Sequence, residues 1–320
     1  MVLVTGASGH VGANLVRTLL EQGRDVRCLV HSESRALDGL NVDRVQGDVT
    51  APDTLTPAMA DVSTVFHCAA VISIVGDMGG LVRRVNVDGV RNMATAARAA
   101  GVQRFVHVSS CHAFDLTGTT ASETSPRPGQ DHPAYDRSKA AGEAALREFS
   151  DDLSFCVLNP SGIIGPWDFA PSRMGTAFRD VRDGKLPGAI DGGFYFSDVR
   201  DIVGALLAAE TRGGEGENYL LGGHYHRVDK LIALAADVVG AKPPWLTSPM
   251  WLARIGAPFM TAWASITGQE PLYTAEALFA LRTPQDNFDQ SKAKTTLGFD
   301  PTPTRETLEA VYESFERLKM

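Results

Sequence analysis

The chain lacks several features that would place it in a specialised class of protein. No apolar run reaches the roughly 18–20 residues of a membrane span, so we expect no transmembrane segment. Lysine and arginine total 30 against 38 acidic residues, and they are scattered along the sequence. Because nucleic acids bind clustered positive charge, this pattern argues against a nucleic-acid partner. What is left is the composition of an ordinary globular protein.

Cysteine is scarce and unpaired. The sequence contains Cys28, Cys68, Cys111 and Cys156, with no C-x-x-C motif among them. We therefore expect free thiols in a reducing compartment and a cytoplasmic protein. Spacings this long also do not suit zinc, so no metal site is expected. Since an apolar strand begins at residue 2, we further expect no signal peptide.

The most informative feature that is present is a glycine-rich turn. Residues 2–12 read V-L-V-T-G-A-S-G-H-V-G, which places Gly6, Gly9 and Gly12 three residues apart. Glycines let a turn bend tightly and bring backbone N–H groups close to a pyrophosphate at a helix N-terminus. Because an apolar strand precedes the turn and an apolar-periodic stretch follows it, we predict a dinucleotide site. The spacing differs from the G-x-G-x-x-G typical of many dehydrogenases.

Short apolar strands alternate with helical stretches through the first half of the chain. This order predicts an α/β fold with a Rossmann-type, doubly wound parallel sheet. The predicted strands are 2–5, 25–30, 42–45, 64–67, 104–108 and 153–158, and the predicted helices are 11–22, 80–100 and 135–149. Gly101 is expected to end the second of these helices.

The pattern loosens after Asn159-Pro160. We predict a dinucleotide-binding domain over 1–158 and a smaller, mainly helical substrate region over 159–320. Segments around 195–222, which include a helical stretch and a short strand, are expected to return to the first domain. The apolar stretch 249–267 suggests either an apolar substrate or a helix packed in the core or at a dimer interface.

Two groups of residues could carry proton chemistry. Tyr135 and Lys139 are four residues apart in a helical stretch, so their side chains share one face. A nearby ammonium favours the phenolate and lowers the pKa of a tyrosine, which makes it useful for proton transfer. Ser109 and Ser110 follow a predicted strand, and ligands of open α/β sheets bind at such strand ends.

Taken together, the motifs resemble those of the extended short-chain dehydrogenase/reductase superfamily over essentially the whole chain. The supporting motifs are T-G-A-S-G-H-V-G (5–12), G-D-V-T (47–50), V-F-H-C-A-A (65–70), R-V-N-V-D-G-V-R-N (84–92), V-S-S (108–110), Y-D-R-S-K (135–139) and N-P-S-G-I-I-G-P (159–166). The residues around Pro160 and from 270 to 315 look like the branch that contains dihydroflavonol reductases and 3β-hydroxysteroid dehydrogenases.

The resemblance implies a role for each matching residue. Tyr135 looks like the general acid/base, Lys139 its pKa-lowering neighbour, Ser110 the group that orients the reacting oxygen, and Asn86 a member of a proton relay. Long helices like those predicted here often build a dimer in this family, so a homodimer is expected. The residues implied in cofactor binding are Thr5, Gly6, Ser8, Gly9, His10, Val11, Gly12, His31, Ser32, Arg35, Asp48, Val49, Cys68, Ala69, Ala70, Val108, Tyr135, Lys139, Pro160, Gly162 and Ile163.

The end of the second strand bears on the choice of nicotinamide cofactor. An acidic residue there normally accepts hydrogen bonds from the ribose and repels a 2′-phosphate. This strand is followed instead by His31 and Ser32, with Arg35 nearby, and these side chains can donate to a phosphate. We therefore predict NADP(H) over NAD(H). Glu33 could counter this preference by turning towards the ribose.

Three reactions compete. A nucleotide-sugar epimerase with tightly bound NAD would commonly place an arginine where this chain has Phe194, and a sugar dehydratase would place acidic residues where it has Cys111 and His112. A ketone or aldehyde reductase, or alcohol dehydrogenase, acting on a fairly apolar small molecule fits better. A dinucleotide-sensing regulator without catalysis is an alternative from another class, although such proteins typically lose the Tyr/Lys pair. Residues expected to border the site are His112, His132, Trp167, Asp168, Phe169 and Tyr195.

Overall fold

A seven-stranded parallel sheet forms the centre of the protein in a computed structural model, which describes residues 1–32, 35–118, 120–252, 274–281 and 288–320. Its strand order is β10-β6-β5-β4-β1-β2-β3. The strands of the described residues are, in chain order, β1 (Val2–Thr5), β2 (Val26–Val30), β3 (Asp43–Gln46), β4 (Thr64–His67), β5 (Arg104–Val108), β6 (Phe155–Pro160), β7 (Gly162–Ile164), β8 (Ala189–Ile190), β9 (Gly193–Asp198), β10 (Asn218–Leu221), β11 (His224–Arg227) and β12 (Thr247–Ser248).

Helices cover both faces of this sheet, so the predicted Rossmann-type fold is confirmed. The helices are α1 (His10–Glu21), α2 (Leu81–Arg83), α3 (Gly89–Ala99), α4 (Ala134–Arg147), α5 (Arg173–Arg182), α6 (Val199–Arg212), α7 (Val228–Val239), α8 (Ala275–Ala280), α9 (Ser291–Leu297) and α10 (Thr304–Leu318). One apolar core packs α1 and α6 on one face of the sheet, and a second packs α3 and α4 on the other.

The helix predicted over 80–100 is divided in the structure. A π-helical turn, Arg84–Asp88, joins α2 to α3, and Gly80, with φ of 85°, begins the segment. The wider turn places Asn86 where its side chain bonds to the backbone of Val71 and to Ser138, which lie outside this helix. These partners are distant in sequence, so periodicity could not predict the turn. Gly101, with φ of 70°, follows α3 as expected.

The second half of the chain is divided between two cores. Strand β10 pairs in parallel with β6 at the edge of the main sheet. Ala293 and Leu297 of α9 also pack in the core beneath α1 and α6, so this part of the predicted substrate region joins the first half. A third core, containing Phe178, Leu231 and Phe315, lies among α5, α7 and α10.

Two smaller sheets extend the second half. Strand β9 pairs in parallel with β7 and antiparallel with β11, and β8 pairs in parallel with β12. Among the described residues, no helix has the length and apolar character to cross a bilayer. The apolar stretch 249–267 lies outside the described residues from position 253 onward.

Candidate active site

A cavity of about 400 Å³ lies at the carboxyl ends of the central strands. It is at the point where the strand order reverses between β1 and β4, and open α/β sheets bind ligands at this point. Of the described residues, those that line it are Gly6, Gly9, His10, Val11, Gly12, Cys68, Ala70, Ile72, Ser73, Ile74, Val108, Ser109, Ser110, His112, Pro133, Tyr135, Asp136, Lys139, Pro160, Ser161, Gly162, Ile163, Ser172, Met174, Phe194, Glu276 and Phe279.

The glycine-rich turn forms one wall of the cavity. Gly6 has φ of 64°, and a Cβ there would lie 2.7 Å from the Ala69 nitrogen. A Cβ on Gly12 would lie 2.2 Å from the Gly6 oxygen, so only glycine lets α1 approach the turn this closely. No side chain caps the N-terminus of α1 at Gly9, and no acidic residue occupies its first turn. The backbone N–H groups and the positive end of the helix dipole therefore fit a pyrophosphate.

The opposite wall brings Ser110, Tyr135 and Lys139 to the same cavity. Tyr135 and Lys139 lie on α4, and Ser110 follows β5 and begins a short 3₁₀ turn, Cys111–Ala113. The Ser110 hydroxyl accepts a hydrogen bond from the His112 N–H at 3.2 Å, which leaves its own proton to be donated. The Lys139 ammonium donates to the Val108 carbonyl at 3.0 Å.

Burial dominates the electrostatics of this wall. It raises the pKa of the Tyr135 phenol, and the Ser110 hydroxyl partly opposes that shift. This direction is opposite to the lowering expected from Lys139, because loss of water outweighs the favourable contacts of the phenolate. Burial also lowers the pKa of Lys139 to about 8, although the Glu143 carboxylate raises it.

Asn86 does not line the cavity. Its amide nitrogen donates to the Val71 carbonyl at 2.9 Å and to Ser138 Oγ at 3.0 Å, and its oxygen accepts from the Val71 N–H at 2.8 Å. Ser138 in turn donates to the Tyr135 carbonyl at 2.7 Å. Asn86 thus connects the loop after β4 to the first turn of α4 through Ser138.

A buried polar network that the sequence analysis missed supports Ser110. Asn159, at the end of β6, donates to the Ser110 carbonyl at 2.9 Å and to Glu143 at 2.6 Å. Glu143 is 1% exposed and forms an ion pair of 2.8 Å with Arg127. Its position one helical turn after Lys139 was the available signal, but its partners on β6 and in the loop could not be inferred from that spacing.

The structure divides the predicted cofactor residues into two sets. Those that line the cavity are Gly6, Gly9, His10, Val11, Gly12, Cys68, Ala70, Val108, Tyr135, Lys139, Pro160, Gly162 and Ile163. Those that do not line it are Thr5, Ser8, His31, Ser32, Arg35, Asp48, Val49 and Ala69. Thr5 is fully buried and bonds to His67 at 2.8 Å, so it joins β1 to β4, and Val49 packs in the core beneath α3.

His31, Ser32 and Asp48 lie along one edge of the sheet, after β2 and β3. His31 and Ser32 are exposed, and His31 Nε2 lies 3.4 Å from the Asp48 carboxylate. The Arg35 guanidinium donates to the Phe169 carbonyl at 3.1 Å. Glu33, the residue expected to complicate the cofactor choice, lies outside the described residues.

His112, Asp136 and Phe194 form an additional cluster on the cavity wall. The His112 ring stacks on Phe194 with centroids 5.5 Å apart, and its Nδ1 is 3.4 Å from the Asp136 carboxylate. His112 was expected to border the site, but its contact with Asp136, 24 residues further along the chain, was not predicted. The other residues expected at the border, His132, Trp167, Asp168, Phe169 and Tyr195, do not line the cavity.

Comparison with known proteins decides the family. The model of the NAD dependent epimerase/dehydratase family matches residues 2–222, which contain the glycine-rich turn, Ser110, Tyr135 and Lys139. The chain belongs to this family. Its members and this chain's relatives use NAD(P) to oxidise hydroxyl groups or reduce keto groups, and the chain is an enzyme of that class.

Three similar proteins align with this chain over nearly its whole length. "Sterol demethylase protein B" of Methylococcus capsulatus is 36% identical, over 95% of this chain and 94% of its own length. A "4-hydroxy-2-methyl-3-oxo-4-farnesyl-3,4-dihydroquinoline-1-oxide ketoreductase" of Stigmatella aurantiaca is 30% identical, over 92% of this chain and 90% of its own length. The crystal structure of gox2253 has a TM-score of 0.84 and 32% identity, and covers 99% of this chain and 98% of its own.

Proposed function

We propose that the protein is an NADP(H)-dependent ketone or aldehyde reductase, or alcohol dehydrogenase, for a fairly apolar small molecule. One observation carries the proposal. The hydroxyl of Ser110, the phenol of Tyr135 and the ammonium of Lys139 line the same cavity as the glycine-rich turn. The bound dinucleotide would supply the hydride donor or acceptor.

The chain's own residues provide the proton and the orientation. A substrate oxygen placed between Ser110 Oγ and Tyr135 Oη would accept hydrogen bonds from both groups. In the direction of reduction, Tyr135 Oη gives its proton to that oxygen, and the Lys139 ammonium stabilises the resulting phenolate. The pKa of Tyr135 is raised by burial, so the phenol is protonated at neutral pH but is a weaker acid than a free tyrosine, and stabilisation of its phenolate by Lys139 matters correspondingly more.

The substrate side of the cavity supports an apolar molecule. Ile72, Ile74, Met174, Phe194 and Phe279 contribute apolar side chains to its lining. No arginine lines the cavity in the part of the chain that the structure describes, and Phe194, the residue that the family resemblance aligns with an epimerase's phosphate-binding arginine, contributes an uncharged ring to the lining. The names of two relatives, which refer to a sterol and to a farnesylated quinoline, agree with an apolar substrate. We assign most of the substrate region to residues 159–320 and most of the dinucleotide domain to 1–158. Ile72 and Ile74 of the first part join the substrate side, and β10 and α9 belong structurally to the dinucleotide domain.

Substitution of Tyr135 by phenylalanine tests this function. We expect turnover of apolar ketones, followed by the absorbance of the reduced dinucleotide, to fall about 100- to 10,000-fold, the typical contribution of general acid catalysis. Dinucleotide affinity should remain within a few-fold, because the glycine-rich turn is unchanged. Undiminished turnover in the variant would remove Tyr135 from its role. Wild-type protein that turns over no ketone, aldehyde or alcohol would favour the regulator.

The preference for NADP(H) is the second part of the proposal. Its support is the absence of a carboxylate on the described residues that directly follow β2, together with the exposed side chains of His31, Ser32 and Arg35. Asp48 near His31 weighs in the other direction. We expect kcat/KM with NADPH to exceed that with NADH, and Arg35→Ala to reduce the ratio several-fold. A wild-type preference for NADH would contradict the prediction.

A further inference from the structure

His112 occupies a position on the cavity wall that the hydride-transfer proposal does not use. It belongs to the 3₁₀ turn that begins at Ser110, and the edge of its ring faces Tyr135 with centroids 6.1 Å apart. The imidazole therefore lies beside the Tyr135 ring, two residues along the chain from Ser110, and all three residues line the same cavity. A group there would be near the carbon atoms beside the carbonyl carbon.

Asp136 orients the imidazole. Its carboxylate is 3.4 Å from His112 Nδ1, and the residue is 5% exposed. It lies in the first turn of α4, where the helix dipole stabilises negative charge. A carboxylate that holds one ring nitrogen leaves the other, Nε2, to exchange a proton with a ligand, as in other histidine bases oriented by a third group. Stacking on Phe194 fixes the plane of the ring.

We propose that His112 is a second proton-transfer group, which makes the protein a catalyst of keto–enol exchange in ketones bound at this site. Nε2 of His112 removes a proton from a carbon next to the carbonyl group. The C–H electron pair forms a carbon–carbon double bond, and the carbonyl π electrons move to the oxygen, which accepts hydrogen bonds from Ser110 and Tyr135. Nε2 then exchanges its proton with solvent and returns one to the same carbon, so that no oxidant or reductant is consumed.

This inference rests on the proposed function, because it requires a ketone bound between Ser110 and Tyr135. Deuterium exchange distinguishes the two. The probe is trans-decalone in heavy water with oxidised dinucleotide present, so that no net reduction competes, and deuterium beside the carbonyl is followed by NMR. Reduction of the same ketone is measured separately with the reduced dinucleotide.

Three variants identify the group responsible. His112→Phe keeps an aromatic ring on Phe194 but cannot accept a proton, and exchange should fall about 100-fold or more, at least about tenfold more than any fall in reduction. Asp136→Asn should lower exchange to a smaller extent, because the ring loses its charged partner. His224→Asn is the matched control: this half-buried histidine lies 3.2 Å from the Pro301 carbonyl, does not line the cavity, and its loss should leave exchange unchanged.

Each outcome of these measurements either supports or overturns the inference. Wild-type exchange no faster than that in buffer overturns the inference, whatever the reductase activity. Equal exchange by wild type and His112→Phe also overturns it and points to Tyr135 or Asp136 as the base. Equal loss of exchange and reduction in His112→Phe would show that the residue only shapes the cavity. Exchange that requires His112, in a protein that does not reduce the ketone, would support the inference and contradict the proposed function.

Discussion

The two faces of the central sheet differ at the carboxyl ends of their strands. On the face covered by α1 and α6, the side chains of β5 and β6 in the core are apolar as far as Val108 and Leu158, near the carboxyl ends of the strands. On the face covered by α3 and α4, the side chains of β5 change from Phe105 in the core to His107, and those of β6 change from Val157 to Asn159. Helix α4, which carries Tyr135 and Lys139, lies on this second face, so buried polar groups surround this wall of the cavity.

Those polar groups are strongly desolvated. Burial lowers the pKa of His67 to about 3, with a contribution from the Lys139 charge, and holds that of His107 well below its usual range. His67 Nε2, His107 Nδ1 and Ser109 Oγ have no hydrogen-bond partner among the described residues. Unpaired buried polar atoms reduce stability. The face covered by α1 and α6 therefore stabilises the fold, whereas the face covered by α3 and α4 keeps buried polar groups at the expense of stability.

Replacing Lys139, the buried cation on the face covered by α3 and α4, should have the largest effect on activity and stability. Lys139→Met should lower turnover about 100-fold or more while raising the free energy of unfolding by about 1–3 kcal/mol near neutral pH. The gain arises because the pKa of Lys139 is about 8 in the folded state, below its usual 10.5. Between these values only the unfolded chain holds the proton, so wild-type stability rises with pH across that window, and below it the penalty is fully present.

Chemical denaturation at several pH values, paired with a turnover assay, measures both effects. The Lys139→Met variant should lose the rise in stability between about pH 8 and 10.5 that the wild type shows. A variant less stable than wild type at neutral pH would show that the charged contacts of Lys139 outweigh its desolvation.

A pair of core substitutions compares the two faces directly. Leu206→Ala on α6, where the side chain is fully buried, should destabilise by about 2–5 kcal/mol through loss of apolar contact and a residual cavity. His107→Leu replaces a desolvated imidazole with an apolar group of similar size and should change stability by about 1 kcal/mol or less, in either direction. Urea denaturation measures the free energy of unfolding of both variants. Equal, large losses of that free energy would mean that stability depends on His107 as strongly as on Leu206.

Substitution of two helical glycines, one on each face of the sheet, should have the smallest effects on stability. A Cβ on Gly142 of α4 would lie 2.2 Å from the Asn86 carbonyl, whereas one on Gly204 of α6 has no other atom within 4 Å. We expect Gly142→Ala to destabilise by about 1–3 kcal/mol, because α4 must move from the π-helical turn. Gly204→Ala should stabilise by about 0.5–1 kcal/mol, since alanine favours helix. Thermal unfolding measures both, and a loss of stability in Gly204→Ala would argue against the open space seen there.

Much of the fold could be predicted from the sequence because its signals are local. Strands 2–5, 64–67 and 104–108 were predicted with the bounds that the structure has. The predicted strand 153–158 lies instead at Phe155–Pro160, where pairing with β5 and β10 fixes its length. The predicted helix 135–149 begins one residue earlier and ends at Arg147.

The site was predictable only in its outline. The glycine spacing and the Tyr135/Lys139 pair identified residues that do line one cavity. Their electrostatics were not predictable, because the direction of the Tyr135 pKa depends on how much water the packed fold excludes. The meeting of His112 with Asp136 joins a loop after β5 to the start of α4, and no motif spacing encodes it.

The sequence by itself determined the alternation of strands and helices, the close-fitting glycine turn and the i, i+4 relation of Tyr135 and Lys139. Each of these follows from backbone geometry over a few neighbouring residues. Tertiary structure alone decided that Asn159 meets Ser110 across 49 residues and that Asn86 meets Ser138 across 52. Such contacts form only after the strands have paired and α4 has packed on them, and the desolvation that sets the protonation state of the site comes with that packing.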